Sequence, residues 1–125
     1  MDKPRYRVVV ADDYPETAKI TCMLLTHLGH DCRAASSSME ALALIAGSVP
    51  HLAILDIGMP DITGYELARQ LRDAHGTAIY LVAMTGWGQP EDQARAIDAG
   101  FDRFLLKPID AVSIADLIAS VEARR

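Results

Sequence analysis

The sequence is short of most features that mark a specialised environment. No apolar run approaches the length of a membrane-spanning helix, and the opening residues do not have the charged-then-apolar form of a signal peptide. Both absences argue against a membrane role. Cysteine occurs only twice: Cys22 and Cys32 lack metal-ligand spacing and have no third cysteine to support them. They read as small core fillers in a reducing, cytoplasmic compartment. Basic residues do not dominate either, since 12 Lys and Arg face 17 Asp and Glu for a net charge of −5. That balance argues against an electrostatic nucleic-acid footprint, and the terminal Arg124 and Arg125 read as a solvated helix end rather than a binding patch. Internal repeats, low-complexity segments and long linkers are missing as well. The 125 residues, half of them apolar, therefore suit one domain over 1–125 with a core from about 7 to 121.

What is present is a succession of short apolar runs that each stop at a polar residue. Leu52-Ala53-Ile54-Leu55 reads as a strand buried on both faces, and it ends at Asp56, followed by Ile57-Gly58-Met59-Pro60. Asp56 thus stands at a strand's carboxyl end, the edge of an open α/β sheet where ligands bind. A lone Asp in such a place also serves as a turn former or helix cap, so other residues have to decide its role.

They come from the rest of the chain. Arg7 precedes Val8-Val9-Val10-Ala11, a β-branched strand that ends in Asp12-Asp13. Pro15 suits the first turn of a helix in which Ala18, Cys22, Leu25 and Leu28 fall at helical spacing, with Gly29 as its stop. A modest strand fits Asp31 to Ala35, and Ser37 and Glu40 have capping-box spacing before a second helix. Thr63 and Glu66 repeat that spacing ahead of a third helix, with Leu67, Leu71 and Ala74 on its buried face. A strand from Ala78 to Ala83 runs into Met84-Thr85-Gly86, and Pro90 opens a helix through Ala94 and Ile97 that closes at Gly100. The last strand, Arg103 to Leu106, stops at Lys107-Pro108. Asp110 can cap a final helix whose Val112, Ile114, Leu117, Ile118 and Val121 face or flank the sheet. Five strand-then-helix units imply an α/β fold, a parallel sheet covered by helices on both faces.

In that fold Asp12, Asp13, Asp56, Thr85 and Lys107 converge on one edge. Three carboxylates repel unless a cation shares their site, and all-oxygen donors with water access suit Mg²⁺. Asp12, Asp13 and Asp56 fit that role, with the backbone carbonyl of Gly58 as a further ligand. A carboxylate beside Mg²⁺ can attack phosphorus to give an acyl phosphate, while Lys107 balances phosphoryl charge and Thr85 donates a hydrogen bond. Taken singly, Lys107 is a surface charge, Thr85 a turn former, and Asp12 and Asp13 are helix caps. Four strand ends furnished together favour the site.

The set Asp12-Asp13, Asp56 with Met59-Pro60 and Gly64, Thr85-Gly86 and Lys107-Pro108 resembles the receiver domain of two-component response regulators. The likeness runs from about Val8 to Val121. It implies the flavodoxin-like sheet of order 2-1-3-4-5, with Asp56 as phosphoacceptor for a histidine kinase or histidine phosphotransfer protein. It implies that Asp12, Asp13, Asp56 and the Gly58 carbonyl hold Mg²⁺, and that Thr85 and Lys107 contact the phosphoryl group. It also implies a cis Lys107–Pro108 bond that aims the ammonium into the site. A switch is implied too: Thr85 moves toward the acyl phosphate, and the aromatic three residues before the lysine fills the space behind it. Here that residue is Phe104, which signals by burial alone because it has no hydroxyl. The responding surface, from Pro90 to the end of the chain, is then where a downstream effector docks. Gly58 and Trp87 flank the acceptor and the threonine, Gly58 leaving space for water and Trp87 either covering it or contacting a partner.

The run Thr85-Gly86-Trp87-Gly88-Gln89 with Ala99-Gly100-Phe101-Asp102 resembles receivers of hybrid sensor histidine kinases, so a stand-alone protein and a piece of a longer one are both expected possibilities. Two other classes stand against a phosphorelay module. A phosphatase working through an aspartyl phosphate places a second acid two residues after the first, where this chain has Gly58. None of His27, His30, His51 and His75, read as helix-end or loop residues, replaces that acid. A phosphorylation-independent interaction module would be marked by loss of an acid or of the lysine, and none is missing. The chain is therefore expected to accept phosphate without being an enzyme toward other substrates.

Overall fold

A computed structural model describes residues 4–86 and 88–124, and in it five strands and five helices alternate. They are β1 (Arg7–Ala11), α1 (Pro15–His27), β2 (Asp31–Ala35), α2 (Ser38–Gly47), β3 (Leu52–Asp56), α3 (Gly64–His75), β4 (Tyr80–Thr85), α4 (Pro90–Ala99), β5 (Arg103–Leu106) and α5 (Ala111–Arg124). All strand pairings are parallel and the order is β2-β1-β3-β4-β5, so the expected topology holds. β4 begins two residues later than its apolar run, because the Tyr80 N–H bonds the His51 carbonyl at 2.9 Å and the ladder starts there.

Because strand side chains alternate between faces, the sheet divides the core in two. Val9, Ala11, Ala53, Leu55, Leu81 and Ala83 pack with residues of α2, α3 and α4. Val8, Val10, Leu52, Ile54, Val82 and Met84 pack on the other side with residues of α1 and α5. Periodicity misplaced five helical residues, one of them Val112 of α5, which is 77 % exposed. Leu28 caps α1 and is exposed, Ala74 is exposed while Ala68 is buried, and α4 turns Ala96 and Ala99 inward rather than Ala94 and Ile97. Leu28 and Ala74 lie at the carboxyl ends of their helices, and the inward stripe of α4 is narrower than its apolar one. Among the described residues no helix is long and apolar enough to cross a membrane.

Capping follows the expected residues. Ser37 and Thr63 accept from the Glu40 and Glu66 N–H groups at 3.1 and 3.3 Å, and Asp110 accepts from Ser113 N–H at 2.8 Å. The cysteines correct the sequence reading. Cys22 on α1 and Cys32 on β2 are joined as a disulfide with Cα atoms 5.3 Å apart, rather than lying as separate core fillers. Ten residues of sequence separation hid a short distance, because the chain turns back at Gly29 to lay β2 against α1.

The amino-terminal pole of the sheet is held by polar groups the sequence does not advertise. Arg72 donates to the Gly100, Gly76 and Ile79 carbonyls, each at 2.8 Å, and pairs with Asp102. Asp102 also accepts from Leu81 N–H at 2.8 Å and pairs with Arg124 at 3.2 Å. Gly100 is required there: its φ is +112°, and a Cβ would lie 2.7 Å from Arg72 Cγ.

At the same pole buried His30 stacks on Tyr6 with centroids 5.2 Å apart, and its Nδ1 accepts the Tyr6 N–H at 3.1 Å. Protonation at Nδ1 would abolish that bond. Burial lowers the His30 pKa below the ordinary value, with Glu122 working the other way. The unfolded chain therefore binds this proton more readily, and the stability His30 confers is lost as pH falls below about 6.5 toward the folded-state value. In urea unfolding at about pH 7.5 and pH 5.5, His30→Leu is expected to show a flatter pH dependence than the parent. Parallel slopes would remove His30 as the cause.

Candidate functional site

Each element of the site is placed by the end of a strand. β1 delivers Asp12, which is fully buried, and its Oδ1 accepts the Tyr14 N–H at 2.9 Å. β3 delivers Asp56, 6 % exposed, whose Oδ1 accepts the Gly58 N–H at 3.1 Å. β4 ends at buried Thr85, and the Thr85 carbonyl accepts the Lys107 N–H at 2.7 Å, which carries the chain beyond β5 into the site. The Lys107 ammonium lies 2.7 Å from Asp12 Oδ2 and 3.4 Å from Asp56 Oδ2. Oxygens of Asp12, Asp13 and Asp56 all lie within 4.8 Å of one another. A cleft of about 320 Å³ opens over them, lined among others by Asp13, Asp56, Gly58, Thr85 and Lys107. Asp12, Asp13, Asp56, Gly58, Thr85 and Lys107 are thus brought together, and the Lys107–Pro108 peptide is cis.

The charge at this edge is unbalanced. Burial pushes the Asp56 carboxyl up to about 6; the Gly58 N–H and Lys107 pull it down, while Asp13 and Asp12 push it further up. Partial burial disfavours the Lys107 ammonium, but Asp12 and Asp56 outweigh it and raise its pKa. Of the three carboxylates, Asp12 and Asp56 pair with the Lys107 ammonium, and the donor set is all oxygen. These residues fit a hard divalent cation such as Mg²⁺.

Gly64 explains how the acid edge stays compact. A Cβ there would lie 2.7 Å from Ile57 Cα and 2.9 Å from the Asp56 carbonyl oxygen, so only glycine lets α3 begin against the end of β3. Tyr14 and Thr17 also line the cleft, and sequence reasoning passed over them. Their signal was position alone, directly after the acid pair and one helical turn on. The carboxylate of Asp61 was missed as well. It accepts from the Ser38 and Met39 N–H groups at 3.2 and 2.9 Å, tying the loop after β3 to the start of α2. Those bonds, Met39 first, lower its pKa. Phe104 is half-buried against the α2–α3–α4 side of the core, and Gly88 lies so close that a Cβ would sit 3.2 Å from the Phe104 ring. Trp87 and Arg125 lie outside the described residues.

A flavodoxin-like sheet of order 2-1-3-4-5 carrying acids, a hydroxyl and a lysine at four strand ends defines the class. Residues 8–119 match the model of the response regulator receiver domain, and the chain belongs to that family. Protein PilH of Pseudomonas aeruginosa is 33 % identical over 119 residues, covering 94 % of this chain and 98 % of that protein. The sensor histidine kinase RcsC of Salmonella typhi is 26 % identical over 112 residues, which are 90 % of this chain but 12 % of RcsC. The chain therefore matches some relatives end to end and spans only a small part of others. Among solved structures, chemotaxis protein CheY4 of Vibrio cholerae superposes with a TM-score of 0.88 at 22 % identity over 94 % of this chain and 99 % of that one. A CheY-like receiver from Methanospirillum hungatei gives 0.88 at 24 %, over 96 % of each chain. Both likenesses are of fold.

Proposed function

We propose that Asp56 accepts a phosphoryl group from a phosphohistidine, in a reaction that needs Mg²⁺ held by Asp12, Asp13, Asp56 and the Gly58 carbonyl. The observation that carries this is the surplus of three convergent carboxylates over one ammonium, with the most central acid raised to about 6 at the floor of an open cleft. The metal's chemistry is to offset the carboxylates and the phosphoryl oxygens. A carboxylate oxygen of Asp56 attacks phosphorus, an O–P bond forms, the P–N bond to imidazole breaks, and the departing imidazole takes up a proton. Lys107 pairs with phosphoryl oxygens and the Thr85 hydroxyl donates to one. No acid stands at position 58 to activate water, which supports an acceptor rather than a phosphatase.

The donor is a histidine kinase or histidine phosphotransfer protein, in keeping with a relative that is itself a sensor histidine kinase. The response travels through Thr85 and half-buried Phe104 to α4, β5 and α5, where Ile97, Leu106 and Val112 are 69 %, 54 % and 77 % exposed. That face suits a downstream effector. The chain works as one phosphoacceptor domain in the cytoplasm, with neither nucleic acid nor membrane as its partner, and catalyses no reaction beyond its own phosphorylation and dephosphorylation. Incubation with Mg²⁺ and acetyl phosphate tests the reading: the expected product carries one hydroxylamine-labile phosphoryl group. A chain that stays unmodified under excess donor and magnesium overturns it.

A further inference from the structure

We propose that Cys22 and Cys32 form a reversible redox site that ties α1 to β2 and sets how firmly Asp12 is held. The proposal goes beyond phosphoacceptance and does not depend on it. These are the chain's two cysteines, joined across the seam between the helix that opens at the cleft and the edge strand of the sheet. Their Cα separation of 5.3 Å lies within the range a disulfide spans without backbone movement. Both packing states are accommodated, because each cysteine is half-buried against the α1–α5 side of the core, where thiols are acceptable small hydrophobes. Partial exposure also leaves the sulfurs within reach of a small reagent.

Asp12 is bonded from the end of one tied element and from the residue before the other. β2 ends at Ala35, whose carbonyl accepts the Asp12 N–H at 3.1 Å, and α1 is preceded by Tyr14, whose N–H bonds Asp12 Oδ1 at 2.9 Å. Cys32 is in register with Val8, four residues before Asp12 on β1. Cross-linking α1 to β2 limits the fraying of an edge strand and with it the opening of both bonds.

The exchange partner is a low-molecular-weight disulfide. One cysteine thiolate attacks it and releases one small thiol; the second cysteine then attacks the mixed disulfide and releases the other. Two protein thiols are oxidised and the small disulfide is reduced to two thiols.

The whole chain is equilibrated in glutathione buffers from reducing to oxidising, trapped with an alkylating reagent and weighed. Two alkyl adducts are expected at the reducing end and none at the oxidising end. Reduction is expected to lower the melting temperature by about 5–10 °C and to speed amide exchange at Asp12 and Tyr14 about tenfold. In the Cys22→Ala and Cys32→Ala variants neither quantity should respond to reductant. Full alkylation throughout the series, a bond that survives the reducing end, or stability and exchange indifferent to redox state would each overturn the proposal.

Discussion

Asp56→Asn is expected to eliminate the hydroxylamine-labile phosphoryl adduct and, in the same preparation, to stabilise the metal-free protein. The second effect follows from the folded-state pKa of about 6 against an ordinary 3.8. A carboxyl whose folded pKa is raised costs stability wherever it is charged in both states, here above about pH 6. The cost fades as pH falls through the interval and is gone below the ordinary value. The amide removes the charge and keeps an oxygen to accept the Gly58 N–H, so a gain of about 1–3 kcal/mol is expected at pH 8 and almost none near pH 4. Magnesium should raise the melting temperature of the parent far more than that of the variant. Thermal scans with and without the ion at both pH values read all of this. A variant that still takes up phosphate would move the acceptor elsewhere, and one no more stable than the parent would deny that the buried charge is costly.

Lys107→Met separates two roles that coincide in one ammonium. Asp12 is fully buried with that ammonium 2.7 Å away, and Asp56 lies 3.4 Å from it. Removing one partner of such a group leaves uncompensated buried charge, and a loss of about 2–4 kcal/mol is expected at pH 8 without metal. Acidification through about pH 6 should recover part of it by protonating Asp56. Because the lysine and a divalent ion compete for the same oxygens, the variant should bind Mg²⁺ several-fold more tightly while phosphorylating about a hundredfold more slowly. Isothermal titration and the rate of adduct formation report the two quantities independently. Weaker magnesium binding would show that the ammonium does not oppose the cation.

Fold and site were legible for one shared reason: each buried strand is a continuous apolar run that ends at a polar residue. The alternation with helices makes the sheet parallel, and a parallel sheet brings its carboxyl ends to one edge. Asp12, Asp56, Thr85 and Lys107 are therefore neighbours whatever separates them in sequence. What escaped depends on distances that no local pattern records. The disulfide needed the turn at Gly29 to bring Cys22 and Cys32 together. Arg72 and Asp61 bond mainly to backbone groups, which every residue carries and no letter of the sequence marks. Ala74 and Ile97 follow helical spacing yet face water, because period alone does not say how much of a helix its neighbours cover.

The arginine node gives the molecule a fixed base and a free rim. The Arg72 guanidinium joins the end of α3, the approach to β4 and the turn before β5, and Asp102 links it to Arg124 of α5, which donates to the Thr77 carbonyl. That bracing is expected to make the amino-terminal pole the stiffer end of the sheet, so that a displacement born at the acid cluster stays at the carboxyl pole.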